Sequence, residues 1–396
     1  MPKKTLTDLK DLAGKRVLIR VDFNVPLEAD GTIANDRRIR AALPTIRYVL
    51  DHGASAIVMS HLGRPKGDPA KDAPFKMDRV AERLRELLSR PVYKCDEVVG
   101  DRATAAAAAL KPGEVLVLEN LRFHPGEQAG DPAFAQQLAA LGDVYVNDAF
   151  GTCHRKDASM VAVPKEMTGK PRVVGFLVAK ELEVLDNLLT NPKRPFVAVL
   201  GGAKVSDKIG FIKALLQRVD RVLIGGAMAY TFLAALGKPT GTSRVERDKL
   251  DVAKQLLELG QGKVTLPVDF VVADRPDATA KTQIAEGSIP DGLEGLDIGP
   301  KTRRQYADVI AQAGTVVWNG PVGKFEDEPF SHGTRAIAEA MAKSKAVTVV
   351  GGGETAEAVE EFGLDSKLTH VSTGGGAFLE YVEGTPFAAL QQIDDK

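Results

Sequence analysis

The chain has 396 residues, 44% of them hydrophobic and 27% charged, with a formal net charge of −1. That length exceeds one typical core, so two domains are expected, and the near-neutral balance speaks against a large nucleic-acid footprint. No apolar run approaches the ~18 residues of a membrane span, and "MPKKTLTDLK" lacks a secretory core. The two cysteines, Cys95 and Cys153, make neither a disulfide framework nor a multi-cysteine zinc site, which points to free thiols in a reducing cytoplasm.

In chain order, the apolar runs at 16–21, 56–59, 115–118 and 144–146 predict strands, with segments of helical period between them. Strands that are apolar without alternation predict a parallel sheet covered on both faces, hence an α/β fold. Polar residues cluster where these strands end. Asp22 and Asn24 follow the first strand, and Arg37, Arg38 and Arg40 open a helix. His61 and Arg64 follow the second strand, and Asn120, Arg122 and His124 the third. Asp148, His154 and Arg155 follow the fourth. Ligands of open α/β sheets bind beyond the carboxyl ends of the strands, and a guanidinium fork takes carboxylate or phosphate bidentately. The first half therefore predicts a basin for a small, multiply anionic substrate. Its histidines lack zinc-ligand spacing, and no G-x-S-x-G hydrolase elbow occurs.

Residues 178–195 predict a connecting helix with Val178, Leu182, Leu185 and Leu189 on one face and Glu181 and Glu183 off it. "NPKRP" then marks a boundary. Beyond it "PFVAVL", "VLIGG", "FVVA", "TVVW" and "AVTVV" repeat the strand grammar, each predicted to lead towards a helix. Of 38 glycines, 25 lie after residue 200. Five glycine-bearing turns, "VLGGAKVSDK", "LIGGAMAY", "WNGPVGKFE", "VVGGGETAE" and "VSTGGGAFLE", predict a nucleotide groove. Glycine permits close backbone approach, and helix N-termini offer N–H groups to phosphate. Lys204 and Lys208, four apart, are expected to share a helix face over a phosphate chain. Asp207 and Glu354 are candidates for a magnesium ion, and Glu326 for ribose hydroxyls. Trp318 fits a packed strand end and a nucleotide wall equally well. The G-x-G-x-x-G pattern of a dinucleotide oxidoreductase is absent.

Together, "RVDFNVP", "SHLGRP", "ENLRFH", "GGAKVSDKI", "PVDFVVAD", "VWNGPVG" and "HVSTGGGA" resemble, in order and over essentially the whole chain, the phosphoglycerate kinase family. The resemblance implies two Rossmann-like three-layer αβα domains with mostly parallel sheets, joined by a connecting helix. It places a substrate domain at 1–172 with the tail 379–396 returning to it, a hinge region at 173–191 and a nucleotide domain at 192–378. It assigns Asp22, Phe23, Asn24, Arg38, His61, Leu62, Gly63, Arg64, Arg122 and Arg155 to 3-phosphoglycerate or 1,3-bisphosphoglycerate. Gly202, Ala203, Lys204, Lys208, Gly226, Gly295, Asn319, Pro321, Glu326, Gly352, Gly353, Glu354 and Thr355 are assigned to ADP or ATP. Arg38, Lys204, Gly352 and Gly375 would serve the transfer, and Glu354 would meet magnesium carried by the nucleotide. The implied activity is magnesium-dependent phosphoryl transfer from the acyl phosphate to ADP, in glycolysis and gluconeogenesis, after hinge-type closure. The implied protein is a cytoplasmic monomer without nucleic-acid or membrane partners. Glu354 stands where many members carry Asp, Ala227 where some carry glycine, and Lys324 where an aliphatic residue is common. Lys324 is expected to make the nucleotide rim more basic. The alternative is a non-catalytic, two-lobed nucleotide- and anion-binding protein.

Overall fold

The apolar runs of the first half become β1 (Arg16–Val21), β2 (Ser55–Met59), β3 (Val92–Lys94), β4 (Val115–Val117), β5 (Val144–Asp148) and β6 (Arg172–Val174). They form a six-stranded sheet in the order β3-β4-β2-β1-β5-β6, with every neighbouring pair parallel. On one face of β1, Val17, Ile19 and Val21 pack in a cluster with Ile39, Leu43 and Ile46 of the helix Arg37–Asp51. The other face is buried too, which is why the run reads as continuously apolar: Leu18 and Arg20 are 0% exposed. The edge strands β3 and β6 were not foreseen, because three residues carry no readable period. This computed structural model describes residues 2–396.

The second half forms β7 (Phe196–Leu200), β8 (Arg221–Ile224), β9 (Val264–Thr265), β10 (Asp269–Ala273), β11 (Gln283–Glu286), β12 (Glu294–Ile298), β13 (Thr315–Asn319), β14 (Val347–Gly351) and β15 (His370–Val371). Six of them make a parallel sheet in the order β15-β14-β13-β7-β8-β9. The "FVVA" run departs from expectation. It is β10, the centre of a separate antiparallel sheet β11-β10-β12. Phe270 and Val272 pack with Tyr230 and Ile289, whereas Val271 and Ala273 pack with Phe330. Burial on both faces gives an antiparallel strand the composition of a parallel one, so apolar content alone misreads it.

The chain divides into two units. The first runs to Glu183 and takes in Pro386–Lys396; the second is Val184–Thr385. The division falls within the helix Phe176–Thr190. Its buried residues are Val178, Glu181, Val184, Leu185 and Leu188, so the buried stripe includes Glu181, which the apolar pattern had set aside. The returning tail begins at Pro386 rather than near Leu379. The helix Gly376–Glu383 stays with the second unit, where Phe378 lies 6.0 Å from Phe211 between ring centroids and the Tyr381 hydroxyl donates to Asp186 at 2.6 Å. Gly384 in the left-handed region ends that helix and Pro386 prevents its continuation. In the first unit the tail is held by Arg172 on Asp394 (2.7 Å) and by Lys4 N–H on the Asp394 carbonyl (2.8 Å).

Asp148 ends β5 but turns away from the role expected of it. Its Oδ1 accepts from the Leu177 and Val178 N–H groups (3.0 and 3.4 Å), capping the helix Phe176–Thr190, while its Oδ2 is buried without a partner among the described residues. Burial pushes this carboxyl up to about 7, opposed by the Thr45 hydroxyl and then by the helix N–H groups. The folded protein therefore keeps a proton that the unfolded chain releases near the ordinary carboxylate value. Stability should fall as pH rises from about 4 to about 7, and this contribution should be level above that. Asp148→Asn mimics the neutral acid, so urea melts at pH 5 and pH 8 should differ less for the variant than for the parent. Asp297, pushed up to about 8 by burial, leaves a residual slope of the same sign in both.

Candidate functional site

In the first unit the strand ends converge through a buried arginine. Arg20 of β1 is 0% exposed; its Nε donates to Ser159 Oγ (2.8 Å) and a terminal nitrogen lies 3.1 Å from His61 Nδ1. Ser159 in turn donates through Oγ and N–H to the buried Glu127 (2.5 and 2.9 Å). A guanidinium only donates, so His61 Nδ1 accepts and the imidazole proton lies on Nε2. Burial pushes His61 down to about 3; Asp22 opposes this, and Arg20, Arg155 and Arg38 reinforce it. The ring is neutral at physiological pH, a donor through Nε2 and a poor base.

Asp22, just past β1, pairs with Arg38 on the first turn of the helix Arg37–Asp51. Burial would push its carboxyl up, yet it is held below the ordinary range. With His61 neutral, the charge of Arg38 first, then that of Arg20 and the Asn24 N–H, outweigh burial. Asn24 Oδ1 accepts from Gly63 N–H (2.7 Å), and Arg122 donates to the Gly63 carbonyl (2.8 Å). The Arg122 Nε–H is buried with no partner among the described residues, a donor left over for an anionic oxygen. Asp22, Asn24, Arg38, His61, Gly63, Arg122 and Arg155 thus belong to one basin at the ends of β1, β2, β4 and β5. Arg64 is exposed beside Gly63. Phe23 and Leu62 are buried, and their N–H groups bond to Ser60 Oγ (2.8 Å) and Asn120 Oδ1 (3.1 Å), so they shape the basin from beneath. Sequence reasoning missed Arg20; the available signal was a charged residue inside the otherwise apolar "RVLIRV".

In the second unit β7 and β13 are neighbours although 119 positions separate their paired residues, as in Val199 opposite Trp318; the chain leaves β7 in one direction across the sheet and returns on its other side at β13. Such a switch point opens a crevice beyond the strand ends. The turns there are laced together. Gly202 N–H donates to the Pro321 carbonyl (2.8 Å), Gly226 N–H to the Val322 carbonyl (3.0 Å) and Met228 N–H to the Gly202 carbonyl (3.0 Å). At Gly226, with φ +64°, a Cβ would lie 2.6 Å from the Gly202 nitrogen, so only glycine permits this approach. Lys208 Nζ donates to the carbonyls of Gly201 (2.6 Å) and Asn319 (3.3 Å), bridging the ends of β7 and β13. Burial pushes this ammonium down to about 8, and Glu354 and Asp207 oppose the shift. Both carboxylates therefore lie near it.

The two lysines do not share a helix face. Lys204 is exposed and precedes the short turn Ser206–Lys208, while Lys208 folds back over the switch point. Asn319 Nδ2 donates to the Gly351 carbonyl (2.8 Å), and its Oδ1 is buried without a partner among the described residues. Thr355 Oγ1 accepts from Gly320 N–H (2.7 Å). Gly352 caps the helix Gly353–Glu361, whose first turn presents Gly353 and Glu354 with N–H groups that no helical carbonyl can satisfy. Gly202, Ala203, Lys208, Gly226, Asn319, Pro321, Gly352, Gly353, Glu354 and Thr355 thus surround the switch point. Gly295 sits instead on β12, its N–H bonded to Ser243 Oγ (2.9 Å) and its Cα packed against the Tyr230 ring. Exposed Glu326 follows Lys324, whose N–H donates to Leu296 of the same strand (2.9 Å). Gly375 caps the helix Gly376–Glu383 beyond β15. Lys324 does not make the rim more basic: its ammonium is engaged by Asp327 and by the Pro276 carbonyl (2.8 Å). Trp318 resolves as a packed strand end, 0% exposed, with its indole N–H on the Gly320 carbonyl (2.8 Å).

Among the described residues no group of three or more His, Cys, Asp or Glu is placed to hold a metal ion, and no helix is long and apolar enough to cross a membrane. Cys95 and Cys153 are buried free thiols.

Comparison with known proteins places the whole chain in one family. The family model described as phosphoglycerate kinase matches residues 6–385. The phosphoglycerate kinase of Rhodopirellula baltica is 54% identical over 398 residues, covering 100% of both chains, and that of Moorella thermoacetica is 53% identical over 400 residues with the same coverage. The solved phosphoglycerate kinase of Coxiella burnetii is 41% identical with a TM-score of 0.87, covering 99% of this chain and 98% of its own. That of Pyrococcus horikoshii reaches the same TM-score and coverage at 33% identity.

Proposed function

The chain belongs to the phosphoglycerate kinase family, and from that premise we propose how its residues carry out reversible phosphoryl transfer between the acyl phosphate of 1,3-bisphosphoglycerate and ADP. The supporting observation is the switch point of the second unit, where three glycine-bearing turns are locked together and Lys208 bridges their ends. Backbone N–H groups and ammoniums in such a crevice suit a phosphate chain, with ribose and base towards Gly295 and Glu326. The first unit's guanidiniums and the His61 Nε2–H suit the carboxylate and phosphate of 3-phosphoglycerate.

Written towards the acyl phosphate, a carboxylate oxygen of 3-phosphoglycerate forms the new P–O bond as the bond from the γ-phosphorus to the bridging oxygen of ATP breaks, and ADP leaves. The acceptor is already ionised at neutral pH. No general base is needed, which fits a basin in which His61 is neutral and weakly basic. The protein's task is positioning and stabilisation of charge on the transferring group, by Arg38 and Lys204 with the N–H groups at Gly352 and Gly375. Transfer in line requires the bound acid and bound nucleotide to meet, the role proposed for hinge-type closure about the helix Phe176–Thr190.

Magnesium would come with the nucleotide. Two carboxylates, Glu354 and Asp207, near Lys208 and no larger acidic cage among the described residues suit an ion held mainly by phosphate oxygens and water. When bound it would offset phosphate charge. We further propose a cytoplasmic monomer, which sedimentation would check. Incubation with ATP, magnesium and 3-phosphoglycerate, with reductive trapping of the acyl phosphate, should give ADP and trapped product only when the acid is present. A non-catalytic binding protein would retain both ligands and release no ADP.

A further inference from the structure

The turn that carries Lys204 is not held by secondary structure. Lys204 and Val205 lie between the end of β7 and the short turn Ser206–Lys208. What holds it is a side chain 40 positions away. Glu246 accepts the Val205 N–H (2.6 Å) and the Ser206 N–H (3.1 Å) on Oε2, and the Ser206 hydroxyl on Oε1. One carboxylate therefore takes three donors from two consecutive residues, the first of them adjacent to Lys204. Glu246 is fixed in turn: its own N–H donates to Thr231 Oγ1 (3.1 Å), on the helix Met228–Ala235 that opens just after the Gly226 turn. Thr231 is 1% exposed and Val205 0%. The Lys204 turn is thus tied through Glu246 to the same element that lines the switch point.

We infer that Glu246 is a positioning residue for phosphoryl transfer: it sets the backbone of Val205 and Ser206 and thereby the direction in which the Lys204 ammonium is presented. This rests on the reading that Lys204 meets the transferring group. Charge-assisted bonds to backbone N–H are short and directional, and a displacement near 1 Å in a group that must meet the reacting atoms costs about 10²-fold. The Glu246 carboxylate is taken up by Val205 and Ser206, so its effect, exerted through Lys204, belongs in kcat rather than in KM for the acid.

The test uses the full-length protein and three variants. Glu246→Ala should lower kcat about 10- to 100-fold, with KM for 3-phosphoglycerate unchanged and amide hydrogen exchange at Val205 and Ser206 accelerated. Glu246→Gln keeps an acceptor oxygen for the two N–H groups, and the Ser206 hydroxyl can reverse to accept from its amide. It should restore most of kcat and of the exchange protection. Should the alanine variant fail to fold, Glu246→Asp, which withdraws the carboxylate by one methylene, is read in its place. Turnover of folded Glu246→Ala within twofold of the parent would overturn the proposal. So would unchanged exchange at Val205 and Ser206, or a glutamine variant as impaired as the alanine one. The exchange measurement needs no turnover. An inactive parent would therefore count against the functional reading, while unaltered exchange in the variant would count against Glu246 itself.

Discussion

Arg38→Ala should lower kcat by about 10²- to 10³-fold, the scale of one lost electrostatic donor to a transition state, while KM for the nucleotide should stay near that of the parent. The nucleotide turns belong to the second unit and Arg38 to the first, so ground-state nucleotide binding has no direct reason to change. The guanidinium is held by Asp22, which itself stays ionised because Arg38 and Arg20, with the Asn24 N–H, outweigh its burial. Removing Arg38 leaves Asp22 with one of those two cations, so some stability is lost as well. Arg38→Lys separates the two effects. It retains a positive charge for Asp22 but not the planar fork, and should recover stability more fully than turnover. Parent-like kcat in folded Arg38→Ala would remove Arg38 from the mechanism.

Lys204→Ala should lower kcat on a similar scale, about 10²-fold or more, with magnesium–nucleotide affinity less affected and melting nearly unchanged. Lys204 is exposed, and its ammonium makes no hydrogen bond or ion pair among the described residues, so the fold does not depend on it. Lys208 is the internal control. Its ammonium bridges the Gly201 and Asn319 carbonyls, so Lys208→Ala should loosen the switch point and cost both nucleotide affinity and stability. Steady-state kinetics with equilibrium binding of the magnesium–nucleotide to each variant makes the comparison. A Lys204→Ala defect confined to nucleotide affinity would reduce that lysine to a binding residue.

Much of the site was legible because strand-end chemistry is local. Asp22, His61 and Arg122 each lie within a few residues of an apolar run whose end could be read directly. Three features were not. Arg20 looked like a strand residue, and only its distance to His61 and its bond to Ser159, 139 positions on, reveal that it sets the imidazole tautomer. Asp148 had the right place in the chain for the basin but serves a helix N-terminus instead. Glu246 lay in a charged stretch, "RVERDK", that reads as solvated surface, and its three donors come from a turn 40 residues earlier. In each case a side chain had several partners within reach, and the packing of distant segments chose among them.

The amino-acid sequence by itself determined the α/β character, the arginine-rich first half and the glycine-rich turns of the second, because periodicity, backbone permissiveness and charge are properties of short segments. Tertiary structure alone decided the order of the strands, the switch point where β7 meets β13, the separate antiparallel sheet around β10 and the partners of Arg20, Asp148 and Glu246. Those depend on which distant segments share a buried neighbour, and an unpaired polar group is costly enough there that the fold, not the local sequence, selects each hydrogen bond.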